Sequence, residues 1–221
     1  MSTRIVRAAS RLRGERAIHA PGIALTGWVD VPGGARLGIP VFDGPGRYRA
    51  LVRFSRGAGL PRVLPDVLGI AVRLLDAGGP GRDQDLLMAT GARSMVLRSL
   101  PLPRLDLLGS WYSSVAPYRA NGRRLLVGAQ PLPSRPSGAA RVVALDRLRD
   151  VLPLRLRLVV ATMSGPWQAV GTVTADAVLP APEGRLVRFD PYTDGGGLVP
   201  VGVVNRVRRG AYPASHVGPD A

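Results

Sequence analysis

Residues Leu154–Thr162 read LRLRLVVAT, a run that opens on strict alternation of leucine and arginine. Alternation with a period of two places leucines on one face of an extended chain and arginines on the other, so this is a strand with one buried and one wet side. Tyr48–Arg53 (YRALVR) alternates in the same way. Leu68–Leu75 (LGIAVRLL) is a third strand, stopped by the turn residues Asp76-Ala77-Gly78-Gly79-Pro80-Gly81. Working outward, Ala20–Val31, Gln84–Ala89, Gln168–Leu179 and Leu186–Phe189 also have strand character, and the intervening VPGGARLGIP is turn material.

Helical signals are few. Residues 4–14 (RIVRAASRLRG) space their apolar positions for a short leading helix or arm. Leu100–Leu108 holds two prolines and then a possible helix, Ala144–Val151 is a short helical stretch, and Val203–Tyr212 suits a terminal helix. Pro131–Gly138 (PLPSRPSG) reads as a loop. Six or more short strands with helices between and after them predict an α+β chain built on an antiparallel barrel or sandwich. Neither GxGxxG nor GxxxxGK[ST] occurs, and strands do not alternate regularly with helices, which argues against a Rossmann fold. With 221 residues, no internal repeat and no boundary signal, residues 1–221 read as a single domain.

Composition excludes much chemistry. Cysteine is absent, which removes disulfides, thiol catalysis and Cys-ligated metals; the 2 histidines offer no zinc-ligand spacing. No apolar run approaches a membrane span, and the N-terminus lacks the apolar core of a secretory signal, so a cytoplasmic location is expected. The net charge is +15, and all 30 basic residues are arginine. Absence of lysine alongside abundant Ala, Gly, Pro and Val is the mark of GC-rich coding. Residues 1–110 carry 16 arginines and 8 acids, and residues 111–221 carry 14 and 7. So dispersed a charge does not point to a nucleic-acid partner.

Three segments bear on function: Arg16-Ala17-Ile18-His19-Ala20-Pro21-Gly22; Val52-Arg53-Phe54-Ser55 followed by Pro65–Arg73; and Asn205–Ser215. Taken singly, His19 is either a hydrogen-bonded structural residue or a functional base. Arg53 either points to solvent or, if turned inward, needs an anion. Tyr212 either packs or ligates.

Their order and combination resemble the haem catalase superfamily, in a short form limited to the barrel. Arg16-x-x-His19-Ala20-x-Gly22 is similar to the distal-histidine motif, and Val52-Arg53-Phe54-Ser55 to the VRFS strand. Asp66-x-x-Gly69-x-Ala71-Val72-Arg73 resembles the next strand, Asp85-Leu86 the pair preceding the distal asparagine, and Arg208-x-x-x-Tyr212 the segment of the axial tyrosine.

This resemblance implies a barrel of about eight strands with peripheral helices and haem b as cofactor. Tyr212, on a C-terminal helix, would ligate the iron through its phenolate, kept ionised by Arg208 one turn earlier. His19 would be the acid/base opposite it, with Ser55 fixing its tautomer and Arg16 and Arg53 pairing with the propionates. In this sequence Ala89 or Thr90 stands where the family has the distal asparagine, so Thr90 is the candidate substitute. The arginine two turns beyond the axial tyrosine, the long arm and the C-terminal domain are not matched. The expectation is a peroxidase acting on hydrogen peroxide or an organic hydroperoxide with a small reductant, as a monomer or dimer. The alternatives are an enzyme converting fatty-acid hydroperoxides and a haem-free module on the same fold.

Overall fold

A computed structural model describes residues 22–57, 59–61, 63–132, 142–180 and 182–201. Among these residues ten strands form one antiparallel sheet: β1 (Gly22–Val31), β2 (Gly46–Arg56), β3 (Leu68–Leu74), β4 (Gln84–Thr90), β5 (Tyr112–Ser113), β6 (Tyr118–Ala120), β7 (Arg123–Pro131), β8 (Leu154–Thr162), β9 (Gln168–Val178) and β10 (Val199–Pro200). The order β5-β4-β3-β2-β1-β9-β8 is closed by β7, which pairs with β5 on one side and β8 on the other. That ring is an eight-stranded barrel, and β6 and β10 extend from β7 as a flap.

The expected alternation is realised. In β8 Leu154, Leu156 and Leu158 are buried while Arg155 and Arg157 are exposed. Their leucines join Leu25, Val29, Val52, Phe54, Ile70, Val72, Leu86 and Val173 in one continuous interior. A closed ring leaves no long unpaired strand edge, which is how such a barrel meets the hydrogen-bonding needs of its backbone. Where two-residue β5 is too short to cover β4, the Tyr118 hydroxyl accepts the Leu87 N–H at 3.0 Å.

Among the described residues the helices are short: α1 (Pro40–Asp43), a 3-10 helix (Leu145–Val151) and α2 (Glu183–Leu186). Leu148 of the 3-10 helix and Phe42 of α1 are fully buried in the core. The helix considered for Leu100–Leu108 does not form. Leu102 N–H instead bonds Thr90 O, and Asp66 and Arg104 exchange two backbone bonds, so the two prolines are accommodated in an irregular crossing. Nor is Leu186–Phe189 a strand; α2 runs into an extended strap over residues 187–198. The candidate helices at 4–14 and 203–212 and all but the first two residues of the 131–138 loop lie outside the described residues. Among the described residues no helix is long and apolar enough to cross a membrane.

Candidate functional site

Residues opposite one another in antiparallel strands share a face, so the register maps the barrel's outer surface directly. One row runs Gly22, Ser55, Gly69, Ala89 across β1 to β4. The next runs Ala24, Arg53, Ala71, Leu87, and a third Thr26, Leu51, Arg73, Asp85. Small residues dominate the first two rows and give them a low, flat floor. A methyl on Gly69 would lie 2.7 Å from Ser55 Oγ, and one on Gly22 would lie 2.7 Å from Arg53 Nε. At Gly22 that methyl would also lie 2.8 Å from Phe54 O, a backbone atom that cannot turn aside, whereas at Gly69 the Ser55 hydroxyl would have to move. Ser55, Gly69, Ala71, Leu87 and Ala89 remain half-exposed on this floor.

The strap walls the floor on its far side. Asp85 is fully buried and accepts two hydrogen bonds from Arg73, Nε to Oδ1 at 2.6 Å and Nη2 to Oδ2 at 2.7 Å. The same pair reaches the strap from both members. Arg73 donates to Arg188 O at 2.7 Å and Asp85 Oδ2 accepts Asp190 N–H at 2.7 Å, while the Phe189 ring lies 5.3 Å from the guanidinium. Burial pushes the Asp85 carboxyl upward against the pull of Arg73, and the bonds to Asp85 raise the Arg73 guanidinium. Gln84 adds three more ties, two donated to Thr193 O and Leu198 O and one accepted from Leu198 N–H.

Arg53 lies between strap and floor, with Nη1 3.5 Å from Val187 O. Burial lowers its guanidinium from the ordinary value, since half-removal from water disfavours the charge. Such a cation is suited to an anion arriving on the floor.

Of the site residues expected from sequence, the structure brings Arg53 and Ser55 together on one face. Thr90 is on the other face of β4. It is fully buried, and its hydroxyl donates to Leu102 O at 2.6 Å and accepts Leu68 N–H at 3.0 Å. That hydroxyl therefore links the start of β3 to the crossing of residues 100–104. Arg16, His19, Arg208 and Tyr212 lie outside the described residues. The floor glycines Gly22 and Gly69 and the Arg73–Asp85 clip were not singled out as site residues from sequence, although all four stand inside the quoted motifs. Asp66, also within a motif, is buried at the barrel end with its Oδ2 3.5 Å from Arg56 Nε, closing the loop after β2.

The outer row continues past β4 to Ser113 and Gly128. Here Trp167 packs over Gly128 and meets Trp111 edge-on at 5.3 Å between centroids, with Arg93 and Arg98 over the two rings.

The structure is similar to that of a bacterial catalase, with a TM-score of 0.55 and 12% sequence identity over 87% of this chain and 56% of that chain. The barrel thus has the catalase-like fold, and the chain spans about half the length of that catalase (56%). No family model matches the sequence, and no curated protein matches it either.

Proposed function

We propose that this chain binds haem b against the outer floor of β1–β4 and acts as a peroxidase, with an organic hydroperoxide as the favoured substrate. The observation that carries this reading is the convergence of Arg53 and Ser55 over a floor kept flat by Gly22 and Gly69, on a barrel of catalase-like fold. The donor set fits the group. A planar apolar macrocycle needs a surface without projecting side chains, and its carboxylates need a cation that is already partly desolvated. Gly69, Ala71 and Ala89 offer the first, and Arg53 the second.

In this reading Tyr212 would hold the haem iron through its phenolate, and Arg208 would keep that phenolate ionised. Arg16 joins Arg53 at the propionates. When bound, haem would supply the two electrons that break the peroxide O–O bond, and a small reductant would return them. His19 would take a proton from one peroxide oxygen and return it to the departing one, with Ser55 Oγ orienting the imidazole. Leu87 and Ala89 present apolar groups on β4 where a polar donor would assist hydrogen peroxide. That apolar stretch favours an alkyl hydroperoxide and argues against rapid catalase turnover.

The test is expression with haem supplied, followed by the absorption spectrum of the purified protein. A Soret band is expected, to be lost in Tyr212→Phe and weakened about tenfold in apparent haem affinity in Arg53→Gln. A folded protein with no Soret band would overturn the proposal and leave the haem-free module.

A further inference from the structure

The fold gathers arginines that the sequence scatters. On the barrel's outer surface, at the end remote from the loop after β2, Arg49, Trp28, Thr174 and Arg155 are register partners in one row across β2, β1, β9 and β8. The adjoining row is Arg47, Asp30, Thr172, Arg157. All four arginines are exposed. Within these two rows four cations stand against the carboxylate of Asp30, itself 3.3 Å from Arg47 Nε, and exposed Asp176 follows Thr174 along β9. The two arginine pairs stand three strand spacings apart, roughly 14 Å measured along the curve of the barrel. Between them are the Trp28 ring, with the Arg47 guanidinium 4.8 Å above its centroid, and two threonine hydroxyls.

We propose that this face binds single-stranded nucleic acid, a function separate from the haem reading. Guanidinium groups bind phosphate oxygens bidentately, and threonine hydroxyls supply further phosphate contacts. Trp28 and the guanidinium over it form a planar stack on which a base can lie, or from which a base can displace the arginine. Aromatic platforms flanked by arginine on the exposed outer face of a sheet suit single strands, whose bases are free to turn outward. An anionic bilayer is the poorer fit. Membrane docking needs projecting apolar residues, and the most exposed of these, Val63 and Val96, are on loops at the opposite end.

The experiment is fluorescence anisotropy with a labelled oligothymidylate of roughly 16 nucleotides, titrated by the full chain across a range of salt. The double variant Arg155→Gln/Arg157→Gln changes only exposed side chains, and circular dichroism checks that it folds. It should bind at least tenfold more weakly, with a log–log salt slope shallower by about 1.4, two phosphate contacts at ~0.7 each. Arg123→Gln/Arg124→Gln, at the far end of β7, removes the same charge and should leave the slope nearly unchanged. Binding should also quench tryptophan emission, and Trp28→Phe should abolish most of that change. The proposal is overturned by no binding at low salt, by equal weakening in the two double variants, or by inorganic polyphosphate competing as well as unlabelled oligothymidylate.

Discussion

Two outer faces of one barrel treat their arginines in opposite ways. On β3 and β4, Arg73 sits with 19% of its side chain exposed beside fully buried Asp85, and both tie down the strap. On β1 and β2, Arg47 and Asp30 form a looser pair at 3.3 Å with 64% and 52% of their side chains exposed, and nothing among the described residues lies across them. Residue type and strand geometry are the same in both places. What differs is the covering segment, which turns a solvated ion pair into a buried one and so turns it into a structural fastening.

The largest effect should come from breaking that fastening. Asp85→Ala leaves the Arg73 guanidinium facing a lost partner and the Asp190 N–H unpaired, and should cost about 3 kcal/mol in urea denaturation. A smaller effect tests the floor. Gly69→Ala places a methyl 2.7 Å from Ser55 Oγ and should cost about 1 kcal/mol, most of it recovered when Ser55→Ala is added. Smallest of all, Asp30→Asn should change stability by less than about 0.5 kcal/mol, because both partners keep most of their hydration. A loss near that of Asp85→Ala would abolish the distinction between the two faces.

Most of the barrel was legible in its alternation: β1, β2, β3, β4, β8 and β9 all fall on runs recognised from sequence. β7 was missed because residues 125–129 of RRLLVGAQP are buried on both faces, which erases the period of two. A different signal was present: Asn121-Gly122, with φ of 46° and 72°, is the turn dipeptide of the β6–β7 hairpin. Leu186–Phe189 has the composition of a strand, yet its hydrogen bonds go to Arg53, Arg73 and α2 instead of a neighbouring strand. Such tertiary capture is invisible in a local window. For the site, Arg53 and Ser55 were candidates from the motif alone, and their spacing along β2 puts them on one outer face. Ala89 or Thr90 was the candidate for the distal-asparagine position; Ala89 shares the outer face of Asp85, whereas Thr90 has the opposite parity and is buried.

The pairing of β1 with β9 joins Leu25 to Val178, residues at opposite ends of the described chain. Neighbouring hairpins such as β2–β3 and β8–β9 can form early, but the ring is complete only when these remote strands meet. Closure of that kind carries a large loop-entropy penalty and belongs to topologies that fold in milliseconds to seconds. Until then β1 and β9 present bare edges, so during synthesis the growing sheet is open to pairing with other chains. The feature that leaves the finished barrel without long edges makes its last folding step the one most sensitive to protein concentration.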